Sequence, residues 1–317
     1  MHILVTGGSG FIGTRLIENL LKDNHDIKIY DKHISKTYPE LMSEGDVRDL
    51  ETLTKACEGI DLIYNLAAEH ADNVTPLSLY NDVNVDGAEN IVTAAIANNV
   101  KNIIFTSSVA VYPLDAGESN EELEPAPFNE YGRTKLAAEK VFKKWQAKEK
   151  DNSLFIVRPA AVFGEGNRGN IYNLLKQIHS GKFVNIGKGD NKKSIGYVGN
   201  ISAFLASLAT KKATVDIYNY TDKPDMSARE MAEYIQKELG RDRKIPTVPY
   251  FVGLLGGYTF DVLSKLTGKK FPISSIRIKK FTADTSIDTT KLENSGFKRP
   301  YTLQEGFTKT IKSEFLS

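Results

Sequence analysis

The segment Thr6-Gly7-Gly8-Ser9-Gly10-Phe11-Ile12-Gly13 constrains the fold of this chain more than any other. It follows a short apolar run, His2–Thr6, and leads into positions Ile12, Leu16 and Leu20, which recur every four residues. A strand, a tight turn and a helix in immediate succession are the expected reading. Both Gly8-x-Gly10-x-x-Gly13 and Gly7-x-x-Gly10-x-x-Gly13 are present. Glycine permits the turn and lets backbone approach a pyrophosphate closely, while the helix N-terminus offers unpaired N–H groups and a favourable dipole. A glycine pattern alone is weak, because a strand–helix turn needs glycine with or without a ligand. Its place between strand and helix is the context that supports dinucleotide binding. Gly7, Gly10, Phe11, Ile12 and Gly13 are the expected contacts.

Further candidate strands are Ile27–Asp31, Asp61–Ala68, Asn102–Ser108 and Leu154–Val162. They are mostly continuous apolar runs, as expected for strands buried on both faces. Helical periodicity separates them: Val92, Ala95 and Ile96 in one segment, Leu136, Val141 and Trp145 in another. This alternation predicts an α/β, doubly wound parallel sheet of the Rossmann type. After Gly164 the alternation becomes irregular. Ile171–His179 is expected to be helical and Ile217–Thr221 a strand. Ser227 with Glu230 three residues on forms a capping-box signature ahead of Met231, Ile235 and Leu239, and Gly240 closes that helix. The expected organisation is a dinucleotide-binding domain over residues 1–165, to which 190–222 returns. A smaller C-terminal α/β substrate-binding region takes 166–189 and 223–317.

Composition excludes several classes. Lys plus Arg is 41 against 40 for Asp plus Glu. That balance gives no support to nucleic-acid binding by phosphate neutralisation. The lone cysteine, Cys57, excludes a disulfide framework or a multi-cysteine metal site, and no metal is expected. A single thiol suits a reducing, cytoplasmic setting. The first residues lack the pattern of a signal peptide. The most membrane-like stretch, Val248 to Leu266, is interrupted by Pro249, Gly253, Gly256, Gly257 and Asp261. No membrane span is expected; a helix over a substrate pocket or at a subunit contact is the better reading.

Asp31 ends the second strand, 18 residues beyond Gly13. A carboxylate there accepts hydrogen bonds from the adenosine ribose hydroxyls and repels a 2′-phosphate, which favours NAD over NADP. Asp46 and Val47 follow the third strand and are candidates to contact the adenine. Tyr131-Gly132-Arg133-Thr134-Lys135 places a phenol and an ammonium on one helix face. A nearby lysine stabilises a phenolate and tunes it for proton transfer. Such a pair is common by chance. It gains weight from Phe105-Thr106-Ser107-Ser108, which brings hydroxyls to the carboxyl end of a buried strand, where ligands of open α/β sheets bind. Ser108 is the candidate to orient a substrate oxygen beside Tyr131.

Together these segments resemble the extended short-chain dehydrogenase/reductases, in the NAD-dependent nucleotide-sugar epimerase/dehydratase group. The matches run in order: Thr6 to Gly13, Asp31, Asp46-Val47, Asn65-Leu66-Ala67-Ala68, Asn84-Val85, Thr106 to Tyr112, Tyr131 to Lys135, and Arg158-Pro159-Ala160-Ala161-Val162-Phe163-Gly164. They cover roughly residues 1–230, and Tyr218-Asn219-Tyr220 and Asp288 to Leu292 are consistent with later segments of the family. The resemblance implies that Tyr131 is the acid/base, that Lys135 holds the nicotinamide ribose, and that Ser108 orients the sugar C4 oxygen. It implies further that Leu66, Ala67, Ala68, Asn84, Ser107, Pro159, Ala160 and Val162 line the NAD site. The expected substrate is a UDP-sugar, altered at C4 by a 4-epimerase or a 4-ketoreductase.

Departures from the family pattern narrow this. Sugar dehydratases of the group carry an Asp-Glu pair where this chain has Val109 and Ala110, so 4,6-dehydration is not expected. Ala161 stands where an asparagine is common, and Lys193 where an arginine holds the diphosphate. Lysine pairs with phosphate as a point charge. Arg168, Asn170 and Arg277 are candidates for the missing contacts. Gly164 to Gly169 and Lys269 to Phe281 look most like bacterial polysaccharide enzymes acting on UDP-N-acetylated sugars. The 3β-hydroxysteroid dehydrogenase branch is the alternative on account of Pro249–Leu266, and a non-catalytic NAD-binding scaffold is another. By resemblance, residues 85–99 and 131–150 are the candidate helices of a homodimer.

Overall fold

The continuous apolar runs become seven parallel strands: β1 (His2–Thr6), β2 (Asp26–Asp31), β3 (Met42–Glu44), β4 (Leu62–Asn65), β5 (Asn102–Thr106), β6 (Ser153–Pro159) and β7 (Val215–Tyr220). They lie in the order β7-β6-β5-β4-β1-β2-β3. The computed structural model describes residues 1–71, 74–114, 117–241, 243–268, 271 and 274–316. Register is set by apolar pairs, Ile3 beside Ile27 on β2 and beside Leu62 on β4. Successive side chains of a strand point to opposite faces. On one face Ile3, Val5 and Ile29 meet Leu16 and Leu20 of α1 (Phe11–Lys22) and Phe204 of the helix Val198–Ser207. On the other, Leu4, Ile63 and Phe105 meet Leu53 of α2 (Leu50–Ala56), Ile91 of α3 (Gly87–Ala97) and Phe142 of α4 (Glu130–Gln146). Helices on both faces of a parallel sheet are the doubly wound Rossmann arrangement expected from the sequence. The order reverses between β1 and β4, which opens a crevice at their carboxyl ends.

Strands end where backbone is needed for something else. The run Asp61–Ala68 leaves the sheet after Asn65, and Asn102–Ser108 leaves it after Thr106. The run Leu154–Val162 is two strands, since β6 stops at Pro159 and a short strand, Ala161–Phe163, follows. Pro159 carries no N–H to continue a ladder. The chain forms two units. The first holds Met1–Val162, Gly196–Thr221 and Ile287–Tyr301; the second holds Phe163–Ile195, Asp222–Ser286 and Thr302–Ser317. Ile287–Tyr301 is tied to the first unit by the amide of Asp288 donating to Ser119 O at 2.9 Å, and by Arg299, which donates to Thr221 O at 2.9 Å.

In the second unit the helix Ala228–Glu238 begins with the expected capping box, in which Ser227 and Glu230 bond reciprocally at 3.1 and 2.7 Å. Phe163 stacks on Phe307 with ring centroids 4.5 Å apart. The stretch expected to cover a pocket or a subunit contact is α5 (Tyr250–Thr267), followed by α6 (Ser275–Thr282). Two of its glycines, Gly253 and Gly257, face inward, while most of its large apolar residues are exposed and Leu254 and Phe260 are partly buried. A Cβ on Gly253 would stand 2.7 Å from the Ile186 side chain, and one on Gly257 would stand 2.8 Å from Ser275 Cα.

Close backbone approach also fixes the start of α4. A Cβ on Gly132 would fall 2.0 Å from the carbonyl oxygen of Ala110. No side chain fits there without moving the helix start away from the turn Val109–Val111. Gly132→Ala is therefore expected to cost about 2 kcal/mol or more of stability. Chemical unfolding would measure this; an unchanged midpoint would contradict the packing described.

Candidate active site

The carboxyl end of β1 runs into a cradle made of backbone. Gly7 has φ +72, and a Cβ on it would lie 2.6 Å from the amide nitrogen of Ala67. A Cβ on Gly13 would lie 2.6 Å from Gly7 O. Gly10 caps α1 without a side-chain hydrogen bond, and the first turn carries no acid. The leading N–H groups of a helix have no intrahelical acceptor, so this end presents donors and a positive dipole to an anion. Gly7 and Gly13 let the turn pack against neighbouring backbone directly ahead of these donors, and a tight backbone turn leading into free helix N–H groups fits the pyrophosphate of NAD. Phe11 and Ile12 open α1 and are partly buried, Ile12 against the core.

Asp31 is held ready beside the cradle. Its carboxylate accepts from the amides of Ser9 at 3.1 Å and His33 at 2.9 Å. A carboxylate fixed in this way opposes a 2′-phosphate by like charge. Asp46 is engaged differently: Arg48 grips it at 3.0 and 2.7 Å and holds its carboxyl below the usual range, chiefly through the hydrogen bond. Val47 is buried beneath Gly87. Leu66, Ala67 and Ala68 form the partly buried loop after β4, which the close approach of Gly7 supports. Asn84 sits in a π-helical turn, Asp82–Asp86, and its amide is fully used. It donates to Glu69 O and to the Thr134 hydroxyl, each at 3.0 Å, and accepts from Glu69 N at 2.8 Å. Asn84 is thus a strut between the loop and α4. Pro159 and Ala160 are buried, with the Ala160 amide donating to Tyr220 O at 2.9 Å, and Val162 is partly buried against the core.

Ser108 caps the turn Val109–Val111, accepting from the amide of Ala110 at 3.1 Å. The Tyr131 phenol lies close enough to this hydroxyl for Ser108 to favour its anion. Burial pushes the phenol up to about 12, and the Ser108 hydroxyl opposes that rise. Lys135, one turn on, is buried with its ammonium 4.4 Å from the centre of the Phe105 ring. Burial pushes it down to about 7, against the pull of Glu139.

A buried polar network lies beneath these groups, and sequence reasoning did not find it. Glu139 accepts two bonds from Arg158, at 2.8 and 2.6 Å, and one from the Ser107 hydroxyl at 2.6 Å. Arg158 donates to Tyr112 Oη at 2.7 Å, and Tyr112 donates to Asn219 at 2.8 Å. Ser107, expected to line the cofactor, therefore spends its hydroxyl on Glu139. Gly132, inside the Tyr-Lys segment, escaped notice as well. The identity of these residues carried no signal, because each depends on a partner distant in the chain. Thr106 ends β5 with a buried hydroxyl that has no protein partner among the described residues.

The substrate candidates lie in the second unit. Arg168 pairs with Glu314 at 2.8 Å and stacks over Tyr172 at 4.3 Å, so its charge is already answered. Asn170 opens the helix Asn170–His179. Lys193 donates to Ala283 O at 2.6 Å, and burial pushes its ammonium down to about 8. Arg277 is exposed on α6. Lys269, Lys270, Pro272 and Ile273 lie outside the described residues. Among the described residues no group of His, Cys, Asp or Glu could hold a metal ion. Cys57 is buried at the end of α2, its thiol pushed up to about 12 by desolvation.

Comparison with known proteins identifies the family. Residues 3–220 match the model of the NAD dependent epimerase/dehydratase family. The chain is 49% identical to an N-acetyl-α-D-glucosaminyl-diphospho-ditrans,octacis-undecaprenol 4-epimerase of Escherichia coli O157:H7, over 99% of this chain and 96% of the relative. It is 30% identical to a UDP-glucose 4-epimerase of Vibrio cholerae, over 98% and 94%. The solved UDP-N-acetylglucosamine 4-epimerase of Bacillus cereus superposes with a TM-score of 0.77 at 20% identity, over 98% of each chain. At that identity the likeness is one of fold. The chain belongs to the NAD-dependent epimerase/dehydratase family of extended short-chain dehydrogenase/reductases, and is an NAD-dependent enzyme.

Proposed function

We propose that this enzyme interconverts the C4 epimers of an N-acetylhexosamine joined through a diphosphate to a polyprenol carrier. The observation that carries the reading is the 49% identity, over nearly the whole of both chains, to an enzyme named for that substrate and reaction. The Ser108, Tyr131 and Lys135 geometry supports it. A uridine-diphosphate sugar, the substrate expected from sequence, is the second reading, favoured by the Vibrio cholerae relative.

The chemistry follows from the groups present. Tyr131 takes the proton of the C4 hydroxyl while Ser108 orients that oxygen. Bound NAD supplies hydride acceptance from C4 and its return. Between the two steps the 4-keto sugar turns over, so that hydrogen returns to the opposite face and Tyr131 gives its proton back. Burial disfavours a phenolate, so the charged form of Lys135 and the Ser108 hydroxyl must offset that cost at the moment of transfer. Val109 and Ala110 offer no second acid or base, which limits the site to C4 and argues against water elimination.

Purified enzyme given GlcNAc-diphospho-polyprenol is expected to yield the GalNAc epimer, with kcat/KM at least about tenfold above that for UDP-GlcNAc. Conversion of the uridine sugar alone would overturn the carrier, and conversion of neither would overturn C4 epimerisation. Tyr131→Phe should lose about a thousandfold in kcat while still binding NAD. Lys135→Met should abolish turnover yet stabilise the cofactor-free fold. Folding lowers the pKa of Lys135 from 10.5 to about 7, so the unfolded chain binds the extra proton between those values. The burial cost is full below about pH 7 and gone above 10.5. The gain from Lys135→Met should be about 1–3 kcal/mol at pH 6 and shrink as pH rises. A loss of stability at pH 6 would contradict this.

A further inference from the structure

The second unit turns an apolar helix face outward. Phe251 is 72% exposed, Leu255 67% and Leu266 77%, with Tyr258 and Val262 between them. At about 100° per residue these five positions fall within an arc of roughly 80° on α5, widened by Val252 and Leu263. The opposite arc is fixed inward by Gly253 against Ile186, by Gly257 against Ser275, and by Asp261, which accepts from the Ser275 amide at 3.1 Å and its hydroxyl at 2.5 Å. The helix therefore cannot roll to hide the stripe. Ile276 of α6 is exposed too. Contiguous exposed apolar surface of this kind marks a contact with something apolar.

Charge identifies the contact. From Val262 to Ala283 the chain carries Lys265, Lys269, Lys270, Arg277, Lys279 and Lys280 and no acidic residue. Lys265 and Lys279 are exposed, and Lys279 Nζ lies 5.9 Å from the centre of the Tyr258 ring, at the border of the stripe. A second copy of the chain would set like charge against like across this face. An anionic bilayer satisfies both parts, accepting the apolar side chains below the headgroups and the cations among them. No helix among the described residues is long and apolar enough to cross a membrane, so the helix lies in the interface.

We propose that α5 and α6 form an interfacial docking surface for an anionic phospholipid bilayer. The inference extends the polyprenol-linked reading, because such a carrier resides in a bilayer, but its deciding readout, sedimentation with vesicles, needs no sugar substrate. The full-length enzyme is sedimented with vesicles of equal parts phosphatidylglycerol and phosphatidylcholine, and with phosphatidylcholine alone. It should bind the anionic vesicles, and bind less at high salt or without the anionic lipid. The double variant Leu255→Glu, Leu266→Glu should lose about tenfold or more in partitioning. Its unfolding midpoint and its turnover of the water-soluble UDP-GlcNAc, measured against wild type, should be unchanged. Absence of wild-type sedimentation, or equal sedimentation of the variant, would overturn the proposal. So would a lipid-free dimer that the variant breaks, which would make this face a contact between copies. Vesicle binding without epimerase activity would leave the docking surface standing and remove the proposed reaction; activity without binding would do the reverse.

Discussion

Arg158 and Glu139 meet inside the first unit, where both side chains are almost wholly removed from water. Burying two charges costs several kcal/mol each, and their attraction offsets this only when the remaining donors and acceptors are also satisfied. Here they are satisfied, by the Ser107 hydroxyl on the carboxylate and by Tyr112 on the guanidinium. The pair joins α4 to β6, and Ser107 joins it to the end of β5. Tyr112 carries the chain of bonds on to Asn219 of β7. Three strand ends and one helix are thereby placed in a single register. Lys135 sits one turn before Glu139 on α4, so the position of its ammonium over Phe105 depends on that anchorage.

Two glycines complete the frame by what they lack. Gly132 brings the start of α4 against the Ala110 carbonyl, and so brings Tyr131 within hydrogen-bonding reach of Ser108. Gly7 brings the phosphate cradle against the loop after β4. The result is a backbone on which a phenol disfavoured as an anion and a lysine disfavoured as a cation lie one turn apart on α4. An opposite charge within a few ångströms favours each charged form, so a phenol and an ammonium on one helix face suit a proton moved and returned within one cycle.

Much of the fold was legible because it is written in short-range patterns. Period-two burial collapsed into apolar runs for β1, β2 and β4, and the four-residue recurrence of Ile12, Leu16 and Leu20 marked α1. The capping box at Ser227 and Glu230 announced its helix locally. Pro159 was harder, since an apolar run does not reveal where its ladder of hydrogen bonds stops. Glu139 reads as one more charge on a helix surface until Arg158, 19 residues on, is placed against it. Arg168 reads as a free loop cation, yet its partner Glu314 is 146 residues away. In α5 the apolar content was plain, but only the inward glycines show which side faces out.

In the proposed reaction the hydrogen on C4 leaves and returns without exchange with solvent, while only the hydroxyl proton passes through Tyr131. A substrate carrying deuterium at C4, brought to equilibrium in ordinary water, tests this directly. Both epimers are expected to keep the label at C4 through many turnovers. Loss of deuterium to solvent as epimerisation proceeds would contradict it.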